Sequence, residues 1–320
     1  MLPLVLALLL GAPPSPALPA PLRFTASAFG KPVEIEVRDL PRDAAQKAVH
    51  KALAEIAEIE RLTDATRPGG GLTALNAAAG RGPQPLDSRL LTVLTRARDF
   101  CVWSEGAHGP LGRDLYALWG PRTPASDPPS PERVEQAAAR TACDRLTLDP
   151  QKGTATLAEG SGLDLWGFAE GLAVDRAAEV LRQGGVGNGF VRIGPVQRSF
   201  GAGPVGNGWP VALPRVPGLE ESAGQVHLRD RSLAVAFLSD HPYVNQRTGR
   251  PAQGVLAVIA VTDLAMDAQG LAAALLIAGP REGQLRMGSL RPRPSVRWFL
   301  GSGVGAPVQV DYHWSEISRR

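Results

Sequence analysis

The most informative part of this sequence is the stretch Asp164-Leu165-Trp166-Gly167-Phe168-Ala169-Glu170-Gly171-Leu172-Ala173-Val174-Asp175. It predicts a short strand that breaks at a glycine and continues directly into a helix ending near Gly184-Gly185. The helical part places apolar residues at the i, i+3, i+4 spacing of a core-facing surface, namely Ala173, Ala177, Val180 and Leu181. A helix start presents unpaired N–H groups and the positive end of the helix dipole, so this junction favours binding of a phosphate group.

The composition indicates a globular protein with one large domain or two small ones. The chain has 320 residues, of which 44% are apolar. Its 34 basic and 31 acidic residues give a net charge of +3 and form no basic stripe, so no nucleic-acid partner is expected. The cysteines and histidines form no cluster with the spacing of a zinc site.

The N-terminal segment predicts export. Leu2–Leu10 is an apolar run, too short to span a bilayer, and small residues and prolines follow it. This pattern is typical of a secretory signal, so we predict a signal peptide over residues 1–20 and a domain over residues 21–320. We expect a periplasmic location and no transmembrane span in the mature chain. An oxidising compartment permits a disulfide between Cys101 and Cys143, although two buried thiols agree equally well with the sequence.

Hydrophobic patterning predicts an α+β fold, because helices and strands mix without regular βαβ alternation. A tight hairpin turn is predicted at Asp230-Arg231, between two of the strands, and a surface loop over Pro121–Pro131. Asp87 or Ser88 is the predicted cap of the second helix and Ser130 that of a short helix beginning at Pro131. The other predicted helices cover Asp43–Leu62 and Met266–Ile277; the strands cover Val33–Val37, Phe190–Ile193, Trp209–Leu213, Gln225–Leu228, Ser232–Phe237, Val255–Val261 and Ser295–Leu300.

Several segments, taken in order, resemble motifs of the ApbE-type FAD:protein FMN transferases. The central stretch is similar to that family's Asp-Leu-x-Gly-x-Ala-x-Gly-x-Ala-x-Asp motif. The shared order spans about residues 24–300 and carries the resemblance more than any single motif. It implies an ApbE-like, T-fold-like architecture of mixed sheets with packed helices. The other matching segments are Ala28-Phe29-Gly30-Lys31, Leu75-Asn76, Gly106-Ala107-His108-Gly109-Pro110, Leu118-Trp119-Gly120, Gln246-Arg247-Thr248-Gly249-Arg250-Pro251 and Met266-Asp267-Ala268.

The resemblance implies an enzyme that binds FAD and, with Mg²⁺, attaches FMN through its phosphate to a Thr of a target protein. It implies a metal site formed by Asp267 and the backbone carbonyl of Ala169, with Asp267 and His241 as catalytic residues. Magnesium prefers oxygen ligands and retains waters and substrate phosphates, so few protein ligands are needed. The residues that the resemblance places at the flavin nucleotide are Ala107, His108, Asp164, Glu170 and Thr248.

Several positions depart from the family pattern. Leu271 stands where the family has a Thr one turn after its metal-binding Asp, and Gly109 stands where the family has an Asp near the flavin. Gly194-Pro195-Val196 replaces Gly-Gly-Asp. Pro242 falls at the position of the family's His, and His241 is its neighbour. These substitutions leave fewer oxygen ligands for a cation.

Two functional hypotheses follow, and each residue that carries them also has a structural interpretation. Asp267 lies at a helix start, where the dipole favours a carboxylate, and Asp164 is able to cap the following turn. Asp175 is interpreted as structural, and Thr248-Gly249 as a turn. The first hypothesis is an exported FAD:protein FMN transferase, and the alternative is a catalytically impaired flavin-binding or scaffold protein on the same fold. A third possibility is an unrelated secreted α+β domain.

Overall fold

The computed structural model describes residues 20–120, 128–220, 222–241, 243–301 and 305–315. The predicted signal peptide lies outside the described residues except for residue 20, as do Pro242 and residues 121–127 of the predicted loop. Across the described ranges, no helix combines the length and the apolar character that a membrane crossing requires.

The described residues form seven α-helices: α1 (Arg42–Thr63), α2 (Gly71–Ala77), α3 (Ser88–Trp103), α4 (Arg113–Trp119), α5 (Pro131–Ala138), α6 (Ala169–Gln183) and α7 (Ala265–Met287). Two of them begin at the predicted caps. The Asp87 side chain accepts a hydrogen bond from the Arg89 N–H at 2.8 Å, and the Ser130 hydroxyl accepts one from the Arg133 N–H. Helix α7 is kinked at Gly279, where the sequence predicted its end, and a second helical segment continues beyond it.

Eight antiparallel strands form the main sheet, in the spatial order β1 (Leu22–Ala28), β2 (Lys31–Val37), β6 (Gly189–Ile193), β7 (Val196–Phe200), β10 (Arg231–Phe237), β13 (Val255–Thr262), β14 (Ser295–Leu300) and β15 (Val308–Tyr312). The smaller sheets contain β3 (Gln84–Pro85), β5 (Thr154–Leu157) and β4 (Leu146–Asp149); β8 (Trp209–Ala212) and β9 (Gln225–Leu228); and β11 (Val244–Asn245) and β12 (Arg250–Pro251). These mixed sheets with packed helices confirm the α+β prediction.

Two local predictions were wrong because long-range contacts decide them. The turn at Asp230 does not join a hairpin: β9 pairs with β8, whereas β10 pairs with β7 and β13. The central stretch forms no strand before α6. The backbone of the preceding residue, Leu163, is instead hydrogen-bonded, through both N–H and C=O, to the side-chain amide of Asn76.

The main core lies between one face of the sheet and helices α1, α6 and α7. Helices α6 and α7 approach closely at Gly171, where a Cβ atom would lie 2.4 Å from the Cα of Met266. Asp175 accepts hydrogen bonds from the N–H groups of Ala265 and Met266 at 2.8 and 3.0 Å, and it pairs with Arg198 of β7 at 2.7 Å. The structural interpretation of Asp175 is therefore confirmed, and these contacts fix the rotation of α7.

Cys101 of α3 and Cys143 form a disulfide bond, which settles the alternatives left open by the sequence. The bond lies next to Gly109. A Cβ atom at residue 109 would lie 2.5 Å from the Cβ of Cys101. The same packing accounts for a glycine where the family has an Asp, because a side chain there would overlap Cys101.

Candidate functional site

A cavity of about 310 Å³ opens between the first turn of α6, the first half of α7 and strands β7 and β10. One wall is apolar, since Pro195, Val196, Val235 and Ala236 line it. Pro195 and Val196 belong to the segment that replaces the family's Gly-Gly-Asp, so this wall offers no carboxylate. The other lining residues are Lys31, Trp166, Gly167, Glu170, Asp240, Tyr243, Gln269 and Ala273.

Glu170 is the centre of a polar cluster in this cavity. The Lys31 ammonium group donates to its Oε1 at 2.5 Å, and the Gln269 amide Nε2 donates to its Oε2 at 3.1 Å. The amide oxygen of Gln269 accepts the Gly171 N–H at 2.8 Å. Burial raises the pKa of Glu170, which is only 7% exposed, and the positive charge of Lys31 opposes that shift. The cluster is thus held on both sides by the starts of two helices.

Aromatic rings border the cavity beside this cluster. Trp166 lines the cavity and stacks on His241, with ring centroids 3.7 Å apart and planes 14° apart. Tyr243 and Tyr116 meet the Trp166 ring edge-on, at 4.8 and 6.2 Å. Burial raises the pKa of both tyrosines, so their phenol groups stay protonated. His241, a predicted catalytic residue, thus packs on the ring of Trp166 and is not among the residues that line the cavity.

His108, predicted at the flavin, is fully buried and stacks on Phe168 with ring centroids 4.9 Å apart. Neither ring nitrogen has a hydrogen-bond partner among the described residues. Burial, and secondarily the charge of His241, lowers the pKa of His108 to about 3, so its imidazole is neutral. The neighbouring Ala107 is also buried, and its carbonyl accepts the Gln246 N–H at 2.9 Å.

Asp164 lies in the irregular segment that precedes α6. Its carboxylate accepts the Trp166 N–H at 2.7 Å, and its own N–H donates to the carbonyl of Pro110. Because Asn76 holds the preceding residue, Leu163, the segment has two anchors outside α6. Asp164 therefore caps the turn that carries Trp166, as its structural interpretation predicts, and lies close to the cavity through that residue.

Thr248 lies in the exposed turn between β11 and β12, and its N–H donates to the Asn245 side chain at 3.3 Å. The turn is fixed from below, because the Trp119 indole N–H donates to the carbonyl of Gly249 at 2.8 Å. The structure does not bring Thr248 into the cavity lining, and its predicted contact with the nucleotide stays a prediction.

Helix α7 directs Asp267 away from Glu170. Asp267 pairs with Arg96 of α3, with 2.6 Å between the carboxylate and the guanidinium nitrogen, and it lines a separate cavity of about 230 Å³ together with Leu271. Gln269 and Ala273 are the α7 residues that line the cavity of Glu170. Residues separated by four positions share a helix face, so Asp267 and Leu271 lie on one face and Gln269 and Ala273 on another.

The residues of the cavity do not fit the magnesium ion that the resemblance implies. No group of three or more His, Cys, Asp or Glu side chains in the described residues is arranged to hold a metal. Two carboxylates line the cavity among the described residues. The buried one, Glu170, already binds the cation of Lys31, and the Gln269 amide presents it with a donor. The other, Asp240, is exposed and accepts a hydrogen bond from the Ser239 hydroxyl. Ala273 has no oxygen in its side chain, so even the neighbouring position of α7 contributes no ligand.

Five polar or aromatic residues of the cavity lining were not among the predicted site residues: Lys31, Trp166, Asp240, Tyr243 and Gln269. Lys31 and Trp166 lie in segments that carry the family resemblance, so the sequence did contain a signal for both. Gln269 directly follows the matching segment Met266-Asp267-Ala268, but its amide differs from the carboxylate that the resemblance led us to seek there.

The starts of helices α6 and α7 thus meet at one polar cluster, formed by Glu170, Lys31 and Gln269. Residues 29–292 match the sequence model described as the ApbE family. This match covers more than half of the chain, so the chain belongs to the ApbE family.

Two relatives are the FAD:protein FMN transferase of Haemophilus influenzae, 28% identical over 62% of this chain and 62% of its own length, and that of Rhodobacter capsulatus, 28% identical over 79% and 51%. The chain thus spans less than two thirds of these curated relatives. The flavin transferase ApbE from Vibrio cholerae has a TM-score of 0.82 at 21% identity, over 93% of this chain and 99% of that one. The ApbE protein from Thermotoga maritima has the same TM-score at 20% identity, over 94% and 100%. These structures confirm the predicted ApbE-like architecture.

Proposed function

We propose that this protein is an FAD:protein FMN transferase, which moves FMN from FAD to a Thr hydroxyl of a target protein. Family membership and the names of the relatives support the reaction. The observation that carries the proposal is the cavity at the start of α6, where a cation, a buried carboxylate and an aromatic ring lie together within the matched residues.

In this reaction the Thr hydroxyl oxygen forms a bond to the phosphorus atom on the FMN side of the FAD pyrophosphate. The bond from that phosphorus to the bridging oxygen breaks, AMP leaves with the bond electrons, and the hydroxyl proton passes to a base. We assign the pyrophosphate to the polar cluster of Lys31 and Glu170, and the flavin to the side of Trp166, Asp164 and the Ala107–His108 loop. We assign His241 a positioning role, because it stacks on the ring of Trp166.

This assignment places the phosphates at Gln269 and not at Asp267, whose carboxylate is bound to Arg96. Because the cavity lacks a fitting ligand set, no step of the proposal passes through a metal. The same observation favours a second candidate function, a flavin-binding protein that has lost transfer, since neither Gln269 nor Ala273 supplies an anionic ligand.

The test combines the purified protein, FAD and a Thr-containing acceptor domain from a flavinylated protein, with either Mg²⁺ or EDTA. Mass spectrometry of the acceptor measures attached FMN, and chromatography measures released AMP. We expect both products in equal amounts, and no attachment to an acceptor whose Thr is replaced by Ala. Flavin binding without either product would refute the transferase and support the second candidate. No binding and no product would refute both.

We also propose that the protein is exported to the periplasm. The apolar run Leu2–Leu10 supports this location, and so does the disulfide between Cys101 and Cys143, because disulfides persist in oxidising compartments. Fractionation of cells that produce the full chain should place a shortened product in the periplasm. A full-length, reduced product in the cytoplasm would contradict the proposal.

A further inference from the structure

The turn before β2 and the packing against Gly194 fix the position of Lys31. Lys31 begins β2 directly after the tight turn at Phe29 and Gly30, whose backbone has φ values of 54° and 68°. The Phe29 N–H donates to the Glu60 carboxylate at 2.6 Å, which ties this turn to α1. The aliphatic part of Lys31 passes Gly194, where a Cβ atom would lie 2.7 Å from its Cδ. The side chain is therefore directed from the start of β2 into the cavity.

The ammonium group of Lys31 brings positive charge into the cavity. Lys31 is the only cationic side chain among the described residues that line it. Its side chain remains 35% exposed, whereas the side chain of its partner Glu170 is 10% exposed. An ammonium group has three N–H donors, and Glu170 uses one of them, so two can be donated to a ligand that enters the cavity.

The second hydrogen bond to Glu170 argues against a metal ion in the same place. Gln269 turns its amide NH₂ toward the carboxylate, because its oxygen is engaged with the Gly171 N–H. A divalent cation beside Glu170 would have to displace the ammonium group of Lys31 from one carboxylate oxygen. At the other oxygen it would face the two N–H donors of the Gln269 amide. Like charges in close proximity disfavour one another, so the lysine and a metal exclude each other there.

We propose that the Lys31 ammonium group supplies the positive charge for a phosphate group of the flavin nucleotide, and that nucleotide binding in this cavity is independent of divalent metal. The inference rests on the proposed function, since it names the group that binds the nucleotide at the same site. Glu170 and Gln269 are positioning residues: they hold the ammonium group at the mouth of the cavity. A phosphate oxygen and an ammonium group form a charge-assisted hydrogen bond, which is stronger than a neutral one.

The experiment titrates the full-length protein with FAD, FMN and riboflavin, each in EDTA and in Mg²⁺, and follows flavin fluorescence. The variants are Lys31→Met, which removes the charge, and Lys31→Arg, which retains it. The double variant Lys31→Met/Glu170→Gln avoids a buried unpaired carboxylate in case the single variant does not fold. Lys152→Met is the matched control, because Lys152 is 79% exposed and pairs with the surface residue Asp149.

We expect EDTA to leave FAD affinity unchanged and Lys31→Met, alone or in the double variant, to weaken FAD and FMN binding about tenfold to hundredfold. Riboflavin has no phosphate, so its affinity should change less than about threefold, and Lys31→Arg and Lys152→Met should bind FAD nearly as well as the unaltered protein. FAD binding that requires Mg²⁺, or that survives the loss of Lys31, would overturn the inference and leave the proposed function intact. If the unaltered protein binds no flavin in either buffer, the proposed function and the inference fail together.

Discussion

Replacing Asp267 with Ala tests which residues of α7 belong to the site. Asp267 is the third residue of α7, and its carboxylate pairs with Arg96 at 2.6 Å. The guanidinium carbon of Arg96 also lies 5.1 Å from the ring centroid of Phe100. If this arrangement is structural, Asp267→Ala should affect stability and leave flavin binding almost unchanged.

The size of the stability effect follows from the exposure of the pair. The side chains of Asp267 and Arg96 are 22% and 37% exposed, so the pair is in contact with solvent and contributes about 0.2–1 kcal/mol. A carboxylate in the first turn of a helix adds about 0.3–1 kcal/mol through the dipole. We expect Asp267→Ala to lower the free energy of unfolding by about 0.5–2 kcal/mol and to change FAD affinity by less than about threefold.

Urea unfolding followed by tryptophan fluorescence measures the first quantity, and flavin titration of the folded variant measures the second. Asp99→Ala is the control, since Asp99 is 54% exposed and lies 3.6 Å from the same Arg96; its effect should stay below about 0.5 kcal/mol. If Asp267→Ala unfolds cooperatively but loses FAD binding or FMN transfer, Asp267 contacts the nucleotide and our assignment of the site to Gln269 is refuted.

Three further predictions concern the surroundings of the site. Replacing Cys101 and Cys143 with Ala should lower the free energy of unfolding in urea by about 4 kcal/mol, because the bond closes a chain segment of 42 residues; an unchanged midpoint would show that the bond does not form. His108→Phe should raise that free energy by about 1–2 kcal/mol, because it retains the stack on Phe168 and removes buried nitrogens without partners. Burial lowers the pKa of His108 from 6.5 to about 3, so the unaltered protein should lose stability as the pH falls below 6.5, and thermal unfolding of the Phe variant should show a smaller loss. Burial raises the pKa of Glu170 above 4.5, so the native state binds the proton more tightly and loses stability as the pH rises through that raised value. Glu170→Gln should reduce this loss when the free energy of unfolding in urea is measured against pH. An equal slope of that free energy against pH in the variant and the unaltered protein would contradict the pKa shift.

Features determined by a few neighbouring residues could be predicted from the sequence. Asp87 and Ser130 cap their helices as predicted, because the side chain of a cap bonds to an N–H group only two or three residues away. The strand at Ser295–Leu300 is likewise confirmed. The family resemblance extended this local information to the whole fold, since it depends on the order of motifs along the chain.

Features that depend on distant partners could not be predicted. The sequence around Asp230 has the pattern of a hairpin, but Val226 and Leu228 of β9 pack with β8, so β9 pairs with that strand. The stretch before α6 has the composition of a strand, but just before it the amide of Asn76 takes the N–H and C=O of Leu163, and the Asp164 N–H donates to the carbonyl of Pro110. In both cases the competing partner lies far away in the sequence.

The rotation of α7 is the most consequential feature of this kind, because it determines which side chains face the cavity. The letters Met266-Asp267-Ala268 align Asp267 with the family's metal-binding residue, but two positions along an α-helix correspond to a rotation of about 200°. Asp175 and the close contact at Gly171 fix the start of α7 so that Gln269, and not Asp267, meets Glu170. With no carboxylate on that face, the positive charge of the cavity comes from Lys31. Packing, and not the motif letters, thus determines that Gln269 meets Glu170, and Lys31 reaches the same carboxylate from the start of β2.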